Sequence, residues 1–150
     1  MPGASGPVPE ELERRFLPSL EDMATKLKRD FPRVAINTFS SSMGSAHPDP
    51  GHSLGIDCCF RYAPPEECDN VALIIGVWGL KSEPYLSDLA VSWGAGSSDA
   101  CIGLDLLEYS VLWSDEAIKR IEAGLPILYE TLLAALRNPP FPNEPAPEDS

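Results

Sequence analysis

The chain has 150 residues, 43% of them apolar, and sets 23 acidic side chains against 11 basic ones for a formal charge of −12. A domain of this length buries roughly 70% of the surface its unfolded chain exposes, so it folds without a metal or disulfide staple. A field this negative repels phosphate backbones and anionic lipid; it argues against nucleic-acid and membrane-surface roles and favours a basic protein partner.

The charge is one-sided. Residues 1–33 hold six acids and six bases, whereas the remaining 117 hold seventeen acids against five bases. No stretch approaches the ~20 apolar residues of a membrane span, and the first residues show no secretory signal, which predicts a cytoplasmic location. Cys58, Cys59, Cys68 and Cys101 accordingly read as four free thiols. Eight of the 16 prolines lie at the two ends. They predict a disordered tail over 1–8, a single domain over 9–138 and a Pro-rich acidic tail over 139–150.

From Pro9 to Phe31 the residues Leu12, Phe16, Leu20, Met23, Leu27 and Phe31 recur every three or four positions, the stripe of an amphipathic helix with a kink expected at Pro18. Arg33 to Phe39 changes to a strand period, and Ser40 to His52 reads as a polar loop. Leu54 to Tyr62 alternates cleanly, Val71 to Trp78 is an apolar run of strand length, and Tyr85 to Trp93 follows across a short connection. Cys101 to about Leu107 is a fifth strand. Ser114 is positioned as an N-cap, with Asp115 and Glu116 in the first turn of a second helix that runs to Arg137 past Gly124 and Pro126. The expected fold is α+β: an antiparallel sheet of four to five strands with an N-terminal and a C-terminal amphipathic helix packed on one face, in α-β-β-β-β-β-α order.

Alternation places Val34, Ile36, Leu54, Ile56, Phe60, Val71, Leu73, Ile75, Val77, Leu89, Val91, Trp93, Ile102, Leu104 and Leu106 on the face beneath the helices. The opposite face then collects small residues such as Gly55, Ala72, Gly76, Ala90 and Ser92, together with Cys59, Ile74, Leu86, Asp57, Arg61, Trp78, Asp88, Cys101, Gly103 and Asp105. A tryptophan among small residues has the character of a binding anchor, so Asp57, Arg61, Trp78, Asp88 and Asp105 are the candidate partner-binding residues.

Catalytic and cofactor signatures are missing. Gly94 to Ser98 has two glycines but no Lys-Ser/Thr, and it joins strands instead of opening a helix. His47 and His52 match no zinc spacing, although Asp49 or Cys59 stands near them in sequence. Cys59 or Cys101 with His52 supplies raw material for a nucleophile without an orienting acid. No catalytic residue, metal or cofactor is therefore assigned.

In size, acidity and helix–sheet–helix layout the chain loosely resembles bacterial immunity proteins and secretion chaperones, a likeness of layout that carries no diagnostic residues. It implies a non-catalytic module that engages a basic protein. The alternatives are a small-molecule-binding protein or minor enzyme with a pocket between sheet and helices, and a homodimer joined through the small-residue sheet face.

Overall fold

The computed structural model describes residues 8–44, 46, 48–60, 69–94 and 101–138. In chain order these form α1 (Val8–Asp30), β1 (Val34–Met43), β2 (Gly51–Phe60), β3 (Asp69–Trp78), β4 (Tyr85–Gly94), β5 (Cys101–Asp105), β6 (Val111–Leu112) and α2 (Asp115–Arg137). The architecture is the expected α+β layout. The strands run as an antiparallel meander in the order β1-β2-β3-β4-β5, and the short β6 pairs with the start of β4, on which β5 pairs further along.

One face of the meander is covered. α1 packs on β1 and β2, and α2 packs on β3 and β4. Leu12, Phe16, Leu20 and Leu27 of α1 meet Leu54, Ile56, Leu73, Ile75, Val77, Leu89 and Val91 from the sheet and Ile121, Leu128 and Leu132 from α2 in one buried cluster. Pro18 and Pro126 lie within uninterrupted helices, where a kink or break was expected. Both prolines are exposed, and so are Arg14 and Glu122 four residues before them, whose carbonyls lose their helical partner on the solvent side. Ser114 does occupy the N-cap of α2, but its hydroxyl donates to the Leu112 carbonyl at 2.9 Å and makes no cap bond.

Two irregularities overturn strict alternation. Between Gly76 and Val77 the β3–β4 register shifts, with Gly76 opposite Asp88 and Val77 opposite Leu86, so Ser87 is the extra residue of a bulge. Leu86, assigned to the outer face by alternation, is thereby turned inward and is fully buried. A second shift between Val91 and Ser92 sets Ile102 opposite Ser92 and Cys101 opposite Trp93. Gly103 there provides the room for Trp93, since a Cβ at that position would overlap the indole ring.

The polar stretch after Phe39 is not all loop, because β1 continues to Met43 and β2 begins at Gly51. The connection between them is tied to the β3–β4 turn. Asp49 accepts from the Lys81 backbone N–H at 2.8 Å and from the Ser82 hydroxyl, while Leu80 N–H donates to the Pro50 carbonyl at 3.1 Å. Gly79 opens that turn with φ +77°, a conformation that disfavours any residue with a Cβ.

The cysteines also correct the reading. Cys58 is a free, buried thiol, pushed up to about 12 by burial and then by the adjacent Asp57 charge. Cys59 is disulfide-bonded, so the four cysteines are not all free. The pattern of adjacent cysteines on opposite strand faces leaves redox state undecided, and the bridge removes the support that free thiols lent to a cytoplasmic location. Arg61, Cys68 and the tails 1–7 and 139–150 lie outside the described residues, and Val8, expected in the first tail, already belongs to α1. None of the described helices is long and apolar enough to cross a membrane.

Two measurements check this packing. Ile75 is fully buried between the helices and the sheet, so Ile75→Ala is expected to lower unfolding free energy by about 2–5 kcal/mol in a denaturant titration. Alkylation of the denatured, unreduced chain is expected to label at most two of the four cysteines, with all four reacting after reduction.

Candidate functional site

The face of the sheet opposite the two described helices is built from rows of directly opposed residues. Asn37, Asp57, Ala72 and Ser92 form one row; Phe39, Gly55, Ile74, Ala90 and Asp105 the next; Ser41, Ser53, Gly76 and Asp88 a third. Ala72, Ala90, Ser53 and Ser92 are buried on this face although neither described helix covers them.

Larger side chains lie down over glycines of the adjacent strand. A Cβ at Gly55 would stand 3.1 Å from Phe39 Cζ, one at Gly51 would stand 2.8 Å from Trp78 Cδ2, and one at Gly76 would stand 2.5 Å from an Asp88 carboxylate oxygen. Seating aromatic rings on strand glycines converts a pleated surface into a flatter, partly apolar platform. Trp78 is half-buried there, directly opposite Tyr85, and Ile74 extends the apolar strip.

The sequence-predicted residues share this face without converging. Asp57 accepts from the Asn70 side-chain amide at 2.9 Å, and Asp88 accepts from the Ser87 hydroxyl at 3.1 Å. Asp105 is exposed and accepts from the Leu107 backbone N–H at 3.0 Å. From strand and residue spacings, Asp88 and Asp105 lie about 8 Å apart and Asp57 about 17 Å from Asp88. No group of three potential metal ligands exists among the described residues. The arrangement is a dispersed negative surface around an apolar strip.

A second polar constellation, missed by the sequence reading, stands at the rim of the core. Ser40 of β1 donates to a Glu13 carboxylate oxygen of α1 at 2.6 Å and lies 2.8 Å from Nε2 of His52 in β2. A carboxylate only accepts, so the single hydroxyl hydrogen of Ser40 goes to Glu13 and the His52 Nε2 is left to donate. In a hydrolytic triad the histidine stands between serine and acid and removes the serine proton. Here the serine is in the middle and its proton is held by the acid, which leaves the hydroxyl unactivated. The motif is a helix-to-sheet tether. Extending the inward alternation of Ile36 and Leu54 outward to Ser40 and His52 is the signal that places both on the helix side; nothing in sequence selects Glu13, 27 residues away.

Other pairings considered from sequence are not formed. Cys59 lies on the outer face and His52 on the inner face of the same strand, seven residues apart, and Cys59 is engaged in its disulfide. His47 lies outside the described residues. Glu11 ties α1 to the segment before α2 by accepting from Trp113 Nε1 at 3.1 Å and Arg15 at 2.9 Å. Burial acts to raise its carboxyl, but those two hydrogen bonds together with the positive charges of Arg15 and Arg14 outweigh it and hold the group below its ordinary value. A shallow hollow lined by Pro126, Ile127, Glu130, Thr131 and Ala134 lies on the outer side of α2 and does not run between sheet and helices.

The chain matches no protein-family model, no curated protein and no solved structure.

Burial holds His52 below its ordinary 6.5, only partly offset by the nearby Glu13 charge. Below pH 6.5 the unfolded chain therefore takes up this proton before the folded one does. Stability is expected to be full above pH 6.5, to decline as pH falls from there, and to level off for this group once the folded value is passed. Comparing unfolding free energies of the parent chain and His52→Asn between pH 8 and the carboxylate range (roughly pH 4 to 5) checks this. The variant should show a flatter slope just below pH 6.5, and parallel curves would count against the assignment.

Proposed function

We propose that the protein is a non-catalytic binding module that engages a basic protein through the open face of its sheet. The observation that carries this reading is the composition of that face: an apolar strip of Phe39, Ile74, Trp78 and Tyr85 among Asp57, Asp88 and Asp105, with no basic side chain among its described residues. An apolar centre supplies binding energy on desolvation, and surrounding charge guides approach. A basic partner suits it better than a second copy, because self-association through this face sets the three aspartates against a surface of the same sign. The catalytic alternative has little to draw on: Cys58 is far too weak an acid to form a thiolate, and the Ser40 hydroxyl is bound to a carboxylate. The disulfide at Cys59 favours an oxidising environment over the cytoplasm.

Kinetics with a partner captured by pull-down test the two roles separately. Trp78→Ala is expected to speed dissociation about tenfold or more, corresponding to the loss of over ~1.4 kcal/mol at an anchor. Asp57→Asn, Asp88→Asn and Asp105→Asn are expected to slow association and flatten its dependence on salt. Unchanged rates for all four variants would remove this face from the interaction.

A further inference from the structure

The two edges of the sheet are built differently. At one edge, the strand beyond β4 is split into the short β5 and β6, interrupted by a register shift, and carries Asp105 with Glu108 just after it. Those are the devices that keep a sheet edge from pairing. At the other edge, β1 runs for ten residues, Val34 to Met43, in unbroken register with β2 and contains no charge, proline or bulge. Among the described residues β2 is its single strand partner, so every second residue of β1 directs its N–H and C=O groups away from the sheet.

We propose that two copies of the chain associate through β1, antiparallel across a two-fold axis perpendicular to the sheet, to form one continuous sheet with the two α1 helices side by side above it. Charge is the first argument for a second copy as the occupant. The sequence from residue 1 to residue 48 has no net charge, with six acids and six bases, whereas the whole chain carries −12. The β1 edge and the helix above it are thus the part of this acidic protein at which two copies approach with the least like-charge repulsion; apart from Asp49 in the β1–β2 connection and Asp57 on β2, the described acids outside α1 lie on β3 or later elements, and salt screens them beyond ~8 Å.

Geometry is the second argument. α1 packs about evenly on β1 and β2, which places its axis above the interval between them, roughly 2.4 Å inside the edge strand. Pairing β1 with its copy at the ordinary strand spacing of about 4.8 Å then sets the two α1 axes about 10 Å apart, at the upper end of the range for packed helices. The Glu13–Ser40 bond at one end and the Phe31–Val34 turn at the other show that α1 runs back along β1. A 23-residue helix and a ten-residue strand are both about 34 Å long, so an axis through the middle of β1 passes near the middle of α1. The helices are then antiparallel, and the first-turn acids Glu10 and Glu11 of each approach the last-turn bases Lys28 and Arg29 of the other.

This interface joins the backbone edges of β1, with Asn37, Phe39 and Ser41 at the margin of the open face, and leaves the rest of that face free, so the inference does not rest on the proposed partner. Sedimentation velocity of the full chain over a wide concentration range tests it. The expected result is a species of twice the chain mass that dissociates on dilution, with β1 amides losing hydrogen-exchange protection as it does so. Asn37 and Ser41 are exposed on β1, and a two-fold near Phe39 sets each opposite the other. N37D/S41D is therefore expected to weaken dimerisation at least tenfold with an unchanged circular dichroism spectrum, and mixing it with N37K/S41K to restore a dimer. Should N37D/S41D fail to fold, N37K/S41K alone serves the same purpose. A wild-type chain that stays monomeric at hundreds of micromolar, or a dimer indifferent to these charges, would overturn the proposal.

Discussion

Burial of one apolar layer, with both helices on the same side of the meander, is the constraint from which the rest of the structure follows. Leu54, Ile56, Leu73, Ile75, Val77 and Val91 project to that side and are fully buried there. Each large aliphatic side chain moved from water into such a layer contributes roughly 1.5–3 kcal/mol, and the two helical stripes supply the matching surface. Because neither helix crosses to the other side, the opposite face has to be made acceptable to water by its own residues. It achieves this with small side chains, glycines that seat larger neighbours, and three dispersed carboxylates.

The bulge at Ser87 belongs to the same constraint. Without the extra residue, Leu86 would share the outer face with Asp88; with it, Leu86 and Leu89 both point into the core, and Asp88 stays outside over Gly76. A local irregularity thus adds one large side chain to the apolar layer and at the same time positions an acid on the open face. Packing and surface chemistry are set together at this point.

The polar tether of Glu13, Ser40 and His52 marks where that layer ends. His52 is 8% exposed and faces the helix, in the column that Leu54 and Ile56 continue inward. A buried imidazole without partners would be costly, and Ser40 satisfies one nitrogen while passing the hydrogen-bond chain to the charged end of Glu13. The helix is therefore held to β1 and β2 by specific bonds at its N-terminal half and by Leu20 and Leu27 further along. Registry of α1 against the edge strand matters for the edge itself, because it places a helix with six acids and five bases directly beside an uncharged strand.

The order and nature of the elements and most of the core are legible in local sequence patterns. Helical spacing in Leu12, Phe16, Leu20 and Leu27, and strand alternation in Leu54, Ile56, Cys58 and Phe60, report local periodicities that survive in the folded chain because the same periodicities sort residues toward the buried layer. Alternation also placed Asp57, Trp78, Asp88 and Asp105 on one face. The inward turn of Leu86 emerges only when β3 and β4 pair, since a bulge is a relation between two strands and leaves no mark in either alone. Two further features depended on tertiary structure as well: the disulfide of Cys59, which depends on what is brought within bonding distance, and the Glu13–Ser40–His52 contact, which joins three segments through packing that no short-range pattern encodes. The unequal edges belong to the same class, because a strand becomes an edge only when the order of the whole sheet is set.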